Sequence, residues 1–129
     1  RSSKQVQFSF TAPEHPIFVE INPALHSWTI ENLVKNAIDA MKGKGELKVV
    51  VEEIENTIKI KISDTGKGIA KNQFSKVFEP GFTTKKRGWG LGLSLTKRIV
   101  EDYHKGKIKV LNSEIGKGTT FQMQFYRHY

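Results

Sequence analysis

The chain has 129 residues, 37% of them apolar and 26% charged, with no cysteine and a formal net charge of +8. That length suits one domain able to bury a core without staples, and the missing thiols exclude disulfides and thiolate metal sites. No apolar run nears the roughly 20 residues of a membrane span, and Arg1-Ser2-Ser3-Lys4 leads into no signal-peptide core, so the expectation is a soluble globular domain over residues 1–129 whose positive charge needs explaining.

In chain order, residues 5–10 and 17–21 alternate as short strands. Asn22 then reads as a helix N-cap and Pro23 as the first helical position. Ile30, Leu33, Val34, Ala37, Ile38 and Met41 follow the spacing of a packed helix, stopped by Gly43-Lys44-Gly45. Residues 47–54 form a strand, Asn56-Thr57 the hairpin turn, and Ile58, Ile60 and Ile62 the apolar face of an antiparallel partner. Residues 65–90 are glycine-punctuated, with one helical turn expected at 71–77, and connections of that length are usually functional. Leu91, Leu95, Ile99, Val100 and Tyr103 mark a second long helix. Residues 107–112 and 119–126 close the chain as strands around Ile115-Gly116-Lys117-Gly118. The order argues for an α+β two-layer sandwich: a mixed, mostly antiparallel sheet of about five strands, covered on one face by about three helices.

The charge is uneven. Residues 83–118 carry nine Lys/Arg against three Asp/Glu, and nine of the eleven glycines lie between Gly66 and Gly118. A stretch both basic and glycine-rich suits a phosphate-bearing partner, because backbone approaches closely and cations complement the anion. A solvated surface with ordinary turns is the plainer alternative.

Three constellations could carry chemistry. On the first helix Asn32, Asn36 and Asp39 fall within about 60° of one another, nearly opposite the apolar stripe. Amide oxygens there could ligate Mg²⁺, which completes its shell with phosphates and water; a solvated helix face is the alternative. Asp64-Thr65-Gly66-Lys67-Gly68-Ile69 ends the isoleucine strand. An ionised carboxylate only accepts hydrogen bonds, so it favours the amino group of adenine over the carbonyl of guanine; a tight Asx-capped turn is the alternative. Gly88-Trp89-Gly90-Leu91-Gly92-Leu93-Ser94 precedes the second helix, where exposed N–H groups bind phosphate. Its spacing fits neither a P-loop nor a dinucleotide fingerprint. Phe74, Phe78 and Phe82, at spacing four, form a stripe able to pin the intervening loop to the body.

In this order the segments resemble the ATP-binding catalytic domain of sensor histidine kinases, a fold shared with DNA gyrase, MutL and the ninety-kilodalton heat-shock chaperone. The asparagine box is similar to Glu31–Ala40, the first glycine box to Asp64–Gly68, and the phenylalanine box to Phe78–Phe82. The second glycine box matches Gly88–Leu93 and the last, G-x-G-T-x-F, matches Gly116–Phe121. The resemblance implies ATP as phosphoryl donor, ADP as product, and Mg²⁺ on Asn36 with Asn32 beside it. It implies that Asp64 holds the adenine amino group, with Thr119 reaching the base through water and Gly66, Gly68 and Ile69 lining the slot. Gly88, Gly90 and Gly92 would cradle phosphates, with Asp39, Phe78, Trp89, Leu91 and Leu93 completing the nucleotide site. Lys85, Lys86 and Arg87, in a lid spanning about residues 70–90, are the cations offered to the γ-phosphate; Asn32, Lys85 and Arg87 form the expected catalytic set.

Two departures narrow the function. In hydrolysing relatives a glutamate four residues before the metal asparagine activates water; here that position is Asn32, as in histidine kinases. None of His15, His26, His104 and His128 sits in the phosphoacceptor motif of that family. The resemblance thus implies a cytoplasmic kinase domain acting on a histidine of a separate dimerisation domain, with a response regulator downstream and Arg1–Lys4 as a linker remnant. The fragment is expected to be monomeric within a homodimeric parent, and not to bind nucleic acid. The rival reading is an ATP-hydrolysing module of the gyrase or chaperone type.

Overall fold

A computed structural model describes residues 6–15, 22–80 and 92–126. Within them lie five strands: β1 (Val6–Thr11), β2 (Gly45–Ile54), β3 (Thr57–Asp64), β4 (Lys107–Glu114) and β5 (Gly118–Tyr126). They form one sheet in the order β1-β2-β3-β5-β4, with β1 parallel to β2 and the other neighbours antiparallel. This is the mixed sheet of the expected α+β fold; the strand expected at 17–21 falls outside the described residues.

Period-two alternation decides which face is covered. On β3, Ile58, Ile60, Ile62 and Asp64 are buried, while Thr57, Lys59, Lys61 and Ser63 are half-exposed. Their partners Phe121, Met123 and Phe125 on β5 are buried on the same face. The β2–β3 turn is Glu55-Asn56, one residue earlier than the sequence suggests, because Ile54 pairs with Thr57. Glu55 takes the left-handed backbone this tight turn requires.

The covering layer contains α1 (Pro23–Ala40), capped as expected: the Asn22 side chain accepts a hydrogen bond from Leu25 N at 3.1 Å. Its stripe of Leu33, Ala37 and Met41 is buried against the sheet. A second helix, α2 (Gly92–Lys97), continues as wider π turns over Arg98–Tyr103. Its core face matches the expected stripe at Ile99 and Val100 and departs from it at Leu95 and Tyr103. Thr96, Ile99 and Val100 are buried, whereas Leu95 and Tyr103 are 40% and 54% exposed. Leu93, Thr96 and Val100 keep i, i+3, i+7 spacing, and the π turns then shift the register of the helix toward Tyr103. Between β3 and α2, Lys71–Gln73 and Lys76–Phe78 form two 3₁₀ turns in place of one helical turn.

Candidate functional site

Asp64 is the last residue of β3, and strand alternation turns it toward the helices. The residue is 8% exposed, and its carboxylate accepts a 2.8 Å hydrogen bond from Gly66 N, an Asx turn. Burial holds its pKa above the usual carboxylate value, and hydrogen bonds from the Gly66 and Thr119 backbones oppose that rise. Thr119, its register partner on β5, is also buried. An open cavity of about 380 Å³ at this end of the sheet is lined in part by Asp64, Ser113 and Thr119.

The loop after Asp64 runs between the end of α1 and the β4–β5 hairpin. Lys67 N donates to Ala40 O at 3.1 Å, and Gly116 N donates to Lys67 O at 2.8 Å. A Cβ on Gly66 would lie 2.7 Å from the Ala40 carbonyl, one on Gly68 would overlap Glu114 O, and one on Gly118 would overlap Asp64 O. The resemblance places the first two glycines along a slot for the bound ring. In the structure the space each saves is taken by protein backbone. The close packing fixes the carboxylate, and Ile69 packs against the core.

About two turns back along α1 from Ala40, Asn32 faces the start of α2. Its amide donates to Thr96 Oγ1 at 2.9 Å, and Thr96 Oγ1 donates to Gly92 O at 2.7 Å. Gly92 sits against the Asn32 amide, where a Cβ would come within 3.2 Å of its oxygen. This edge of α1, expected opposite the apolar stripe, therefore turns toward α2. Asn36 lies one turn further on and is half-buried, whereas Asp39 is exposed. No three His, Cys, Asp or Glu side chains gather to hold a metal among the described residues. An amide ligand fits a Mg²⁺ held chiefly by phosphate and water.

Phe78, expected at the nucleotide, lies in the core: it is 7% exposed, packs edge-on to Phe121, and has Lys97 Nζ 5.5 Å from its ring centroid. Phe74 packs against the same core, so these two pin the segment after β3 to the body. Leu93 is likewise packed on the core. Lys85, Lys86, Arg87, Gly88, Trp89, Gly90, Leu91 and the rest of the lid from residue 81 lie outside the described residues.

Sequence reasoning missed two residues. Thr96 is fully buried as the link between α1 and α2; threonine on a buried helical face was the available signal. Ser113 contacts Ile69, Gly118 and Thr119, and strand alternation would have pointed it away from them.

The sequence model of the family described as "Histidine kinase-, DNA gyrase B-, and HSP90-like ATPase" matches residues 24–128. Sensor histidine kinase ZraS of Escherichia coli (strain K12) is 39% identical over 122 residues, 95% of this chain and 26% of that protein. The chain thus spans about a quarter of that relative's length. The catalytic domain of histidine kinase ThkA, in a nucleotide-free form, superposes with a TM-score of 0.85 at 32% identity, over 95% of this chain and 80% of that one. A structure of ThkA in complex with response regulator protein TrrA aligns with a TM-score of 0.82 at 30% identity, over 95% of this chain and 34% of that one.

Proposed function

The chain belongs to the histidine kinase-, DNA gyrase B-, and HSP90-like ATPase family, and on that premise we propose that it is the nucleotide-binding domain of a protein-histidine kinase. It takes ATP, and a histidine on a separate dimerisation domain of the parent protein receives the γ-phosphoryl group. A response regulator is the downstream partner, as the ThkA–TrrA complex suggests by similarity. The observation that carries the reading is the buried acceptor at Asp64, whose loop is bonded to the end of α1, the helix whose Asn32 meets Gly92 where α2 begins.

The residues divide the work by what each can donate or accept. Asp64 accepts from the exocyclic amino group of adenine, and Gly66, Gly68 and Ile69 hold the slot's shape. Asn36 offers its amide oxygen to Mg²⁺, which neutralises phosphate charge when bound. Gly88, Gly90 and Gly92 bring N–H groups to the phosphates, and Lys85, Lys86 and Arg87 supply the opposing charge. Asn32, tied to Thr96, carries no carboxylate to activate water, which favours transfer over hydrolysis. Positioning and charge neutralisation carry such transfers: the imidazole nitrogen attacks the γ-phosphorus, the bond to the β-phosphate oxygen breaks, and ADP leaves.

Titration calorimetry of the chain with ATP and GTP, with and without Mg²⁺, tests the site. ATP is expected to bind and GTP to bind far more weakly. Asp64→Asn should lose about ten- to a hundredfold in ATP affinity, since a hydrogen bond to a charged acceptor is lost; unchanged affinity would refute the assignment. In a Trp28→Phe background, Mg·ATP should change the fluorescence of Trp89.

A further inference from the structure

We infer that Ser113 is a positioning residue that sets the base selectivity of the nucleotide site, by fixing the orientation of the Thr119 hydroxyl. The inference rests on the reading of Asp64 and Thr119 as the purine-facing pair. On β4, Ile108 and Val110 face the helices and pair with Met123 and Phe121. Uninterrupted alternation would next turn Asn112 inward. A register shift between Val110 and Asn112 leaves Leu111 unpaired, so that Asn112 meets Thr120 and Ser113 meets Thr119. The bulge flips the parity of the strand and puts a hydroxyl beside Thr119 where an amide side chain would have been. Re-aiming a side chain next to a site is a recurrent use of such bulges.

Ser113 Oγ accepts from Ile69 N at 2.7 Å, donates to Gly118 O at 2.8 Å, and lies 2.7 Å from Thr119 Oγ1. A serine hydroxyl has one proton. The Gly118 carbonyl can only accept, so it takes that proton, and Thr119 is then the donor in its contact with Ser113. The lone pairs of Thr119 Oγ1 are what remain for the cavity that it shares with Asp64. Two acceptors side by side match an exocyclic amino group, whose two N–H bonds both donate, as on a 6-amino purine, and oppose the carbonyl oxygen of a 6-oxo purine. Without Ser113 the Thr119 hydroxyl rotates freely, presenting donor or acceptor alike, and the Ile69 N–H loses its partner.

ATP and ITP, which differ at purine position 6, separate this role from a merely structural one when titrated against wild type, Ser113→Ala, Thr119→Val and the double variant. Ser113→Ala should weaken ATP about fivefold while leaving ITP within about twofold, the size of one neutral hydrogen bond. Thr119→Val should narrow the ATP-to-ITP ratio by a similar factor, and the double variant no further, because both act through one hydroxyl. Ser113→Thr, which keeps the hydroxyl, should restore the ratio. Equal weakening of ATP and ITP, or an unchanged ratio in Ser113→Ala, overturns the role given to Ser113 while ATP selectivity in the wild type still upholds the site. If Ser113→Ala does not fold, an unchanged ratio in Thr119→Val overturns it. Wild-type protein that binds neither nucleotide overturns the site reading and this inference together.

Discussion

Two titratable residues carry opposite consequences of burial. Asp64 is held above the usual 3.8 by desolvation, so its ionisation costs the fold. Stability falls as pH rises from that value through the folded pKa, and the penalty is complete above it. Nucleotide binding needs the ionised form as acceptor. ATP affinity is therefore expected to decline on acidification from above the ordinary carboxylate range, and the decline should vanish in Asp64→Asn, as calorimetry across pH would show. His26 on α1 packs edge-on to Phe125, and its Nδ1 is buried without a hydrogen-bond partner among the described residues. Burial first, and the neighbouring His104 second, lower its pKa from 6.5. Below that value the unfolded chain takes up a proton that the fold refuses, so His26 makes stability fall as pH drops from 6.5 to its folded pKa. The melting temperature of wild type should drop more between about pH 7 and about pH 5 than that of His26→Phe, which keeps the ring contact and removes the titration. Equal drops would rule His26 out as a source of acid sensitivity.

At the scale of elements, the site depends on how hairpins and helices meet. The β4–β5 turn contains two glycines in left-handed backbone, Gly116 at φ 82 and Gly118 at φ 139. A Cβ on Gly116 would meet nothing within 4 Å, whereas one on Gly118 would collide with Asp64 O. Gly116→Ala should cost only about 1 kcal/mol of backbone strain, and Gly118→Ala about 3 kcal/mol or more, since backbone must shift to admit the methyl. Chemical denaturation would check both; equal costs would mean that the hairpin does not clamp the Asp64 loop. One buried hydroxyl, Thr96 Oγ1, ties α2 to Asn32 of α1. Thr96→Val keeps the shape but strips Asn32 of its acceptor, at an expected cost of about 1–2 kcal/mol. His104 supplies a second tie: its Nε2 accepts from Asn22 N at 2.9 Å while Nδ1 meets Ile99 O at 3.0 Å. The end of the second helix is thereby fastened to the cap of α1.

For the molecule as a whole, the net charge of +8 divides between two uses. Lys107 and Lys109 are exposed on β4, on the face away from the helices, with Lys59 and Lys61 half-exposed on the same face of β3. Lys117 is 74% exposed and pairs with Glu114 at 3.6 Å. These are solvated lysines rather than ligands for a triphosphate. The cations proposed to meet phosphate are Lys85, Lys86 and Arg87, a cluster concentrated beside the second glycine box. With Asn32 in place of a glutamate and no histidine of the phosphoacceptor type in the chain, steady-state phosphate release by the chain alone should be negligible although ATP binds. Sustained turnover would favour the hydrolysing alternative.

What the sequence by itself determined is what local periodicity and local chemistry encode. The Asn22–Pro23 start of α1, the isoleucine face of β3 and the Asp64 turn were all legible, because each depends on neighbours within a few residues. The ordered boxes carried the family for the same reason: each is a short run with its own spacing. Only the tertiary structure decided which surfaces those runs meet. The glycines after Asp64 make room for the backbone of Ala40 and Glu114, and Phe78 is in the core against Phe121. Thr96 is buried because Asn32 reaches it across 64 positions of chain. Ser113 faces Thr119 because one unpaired residue in β4 reverses the parity that the sequence pattern carries. Alternation is a rule within one strand, whereas the bulge is settled by how β4 pairs with β5 across their hairpin, and the pattern of β4 alone does not contain that pairing.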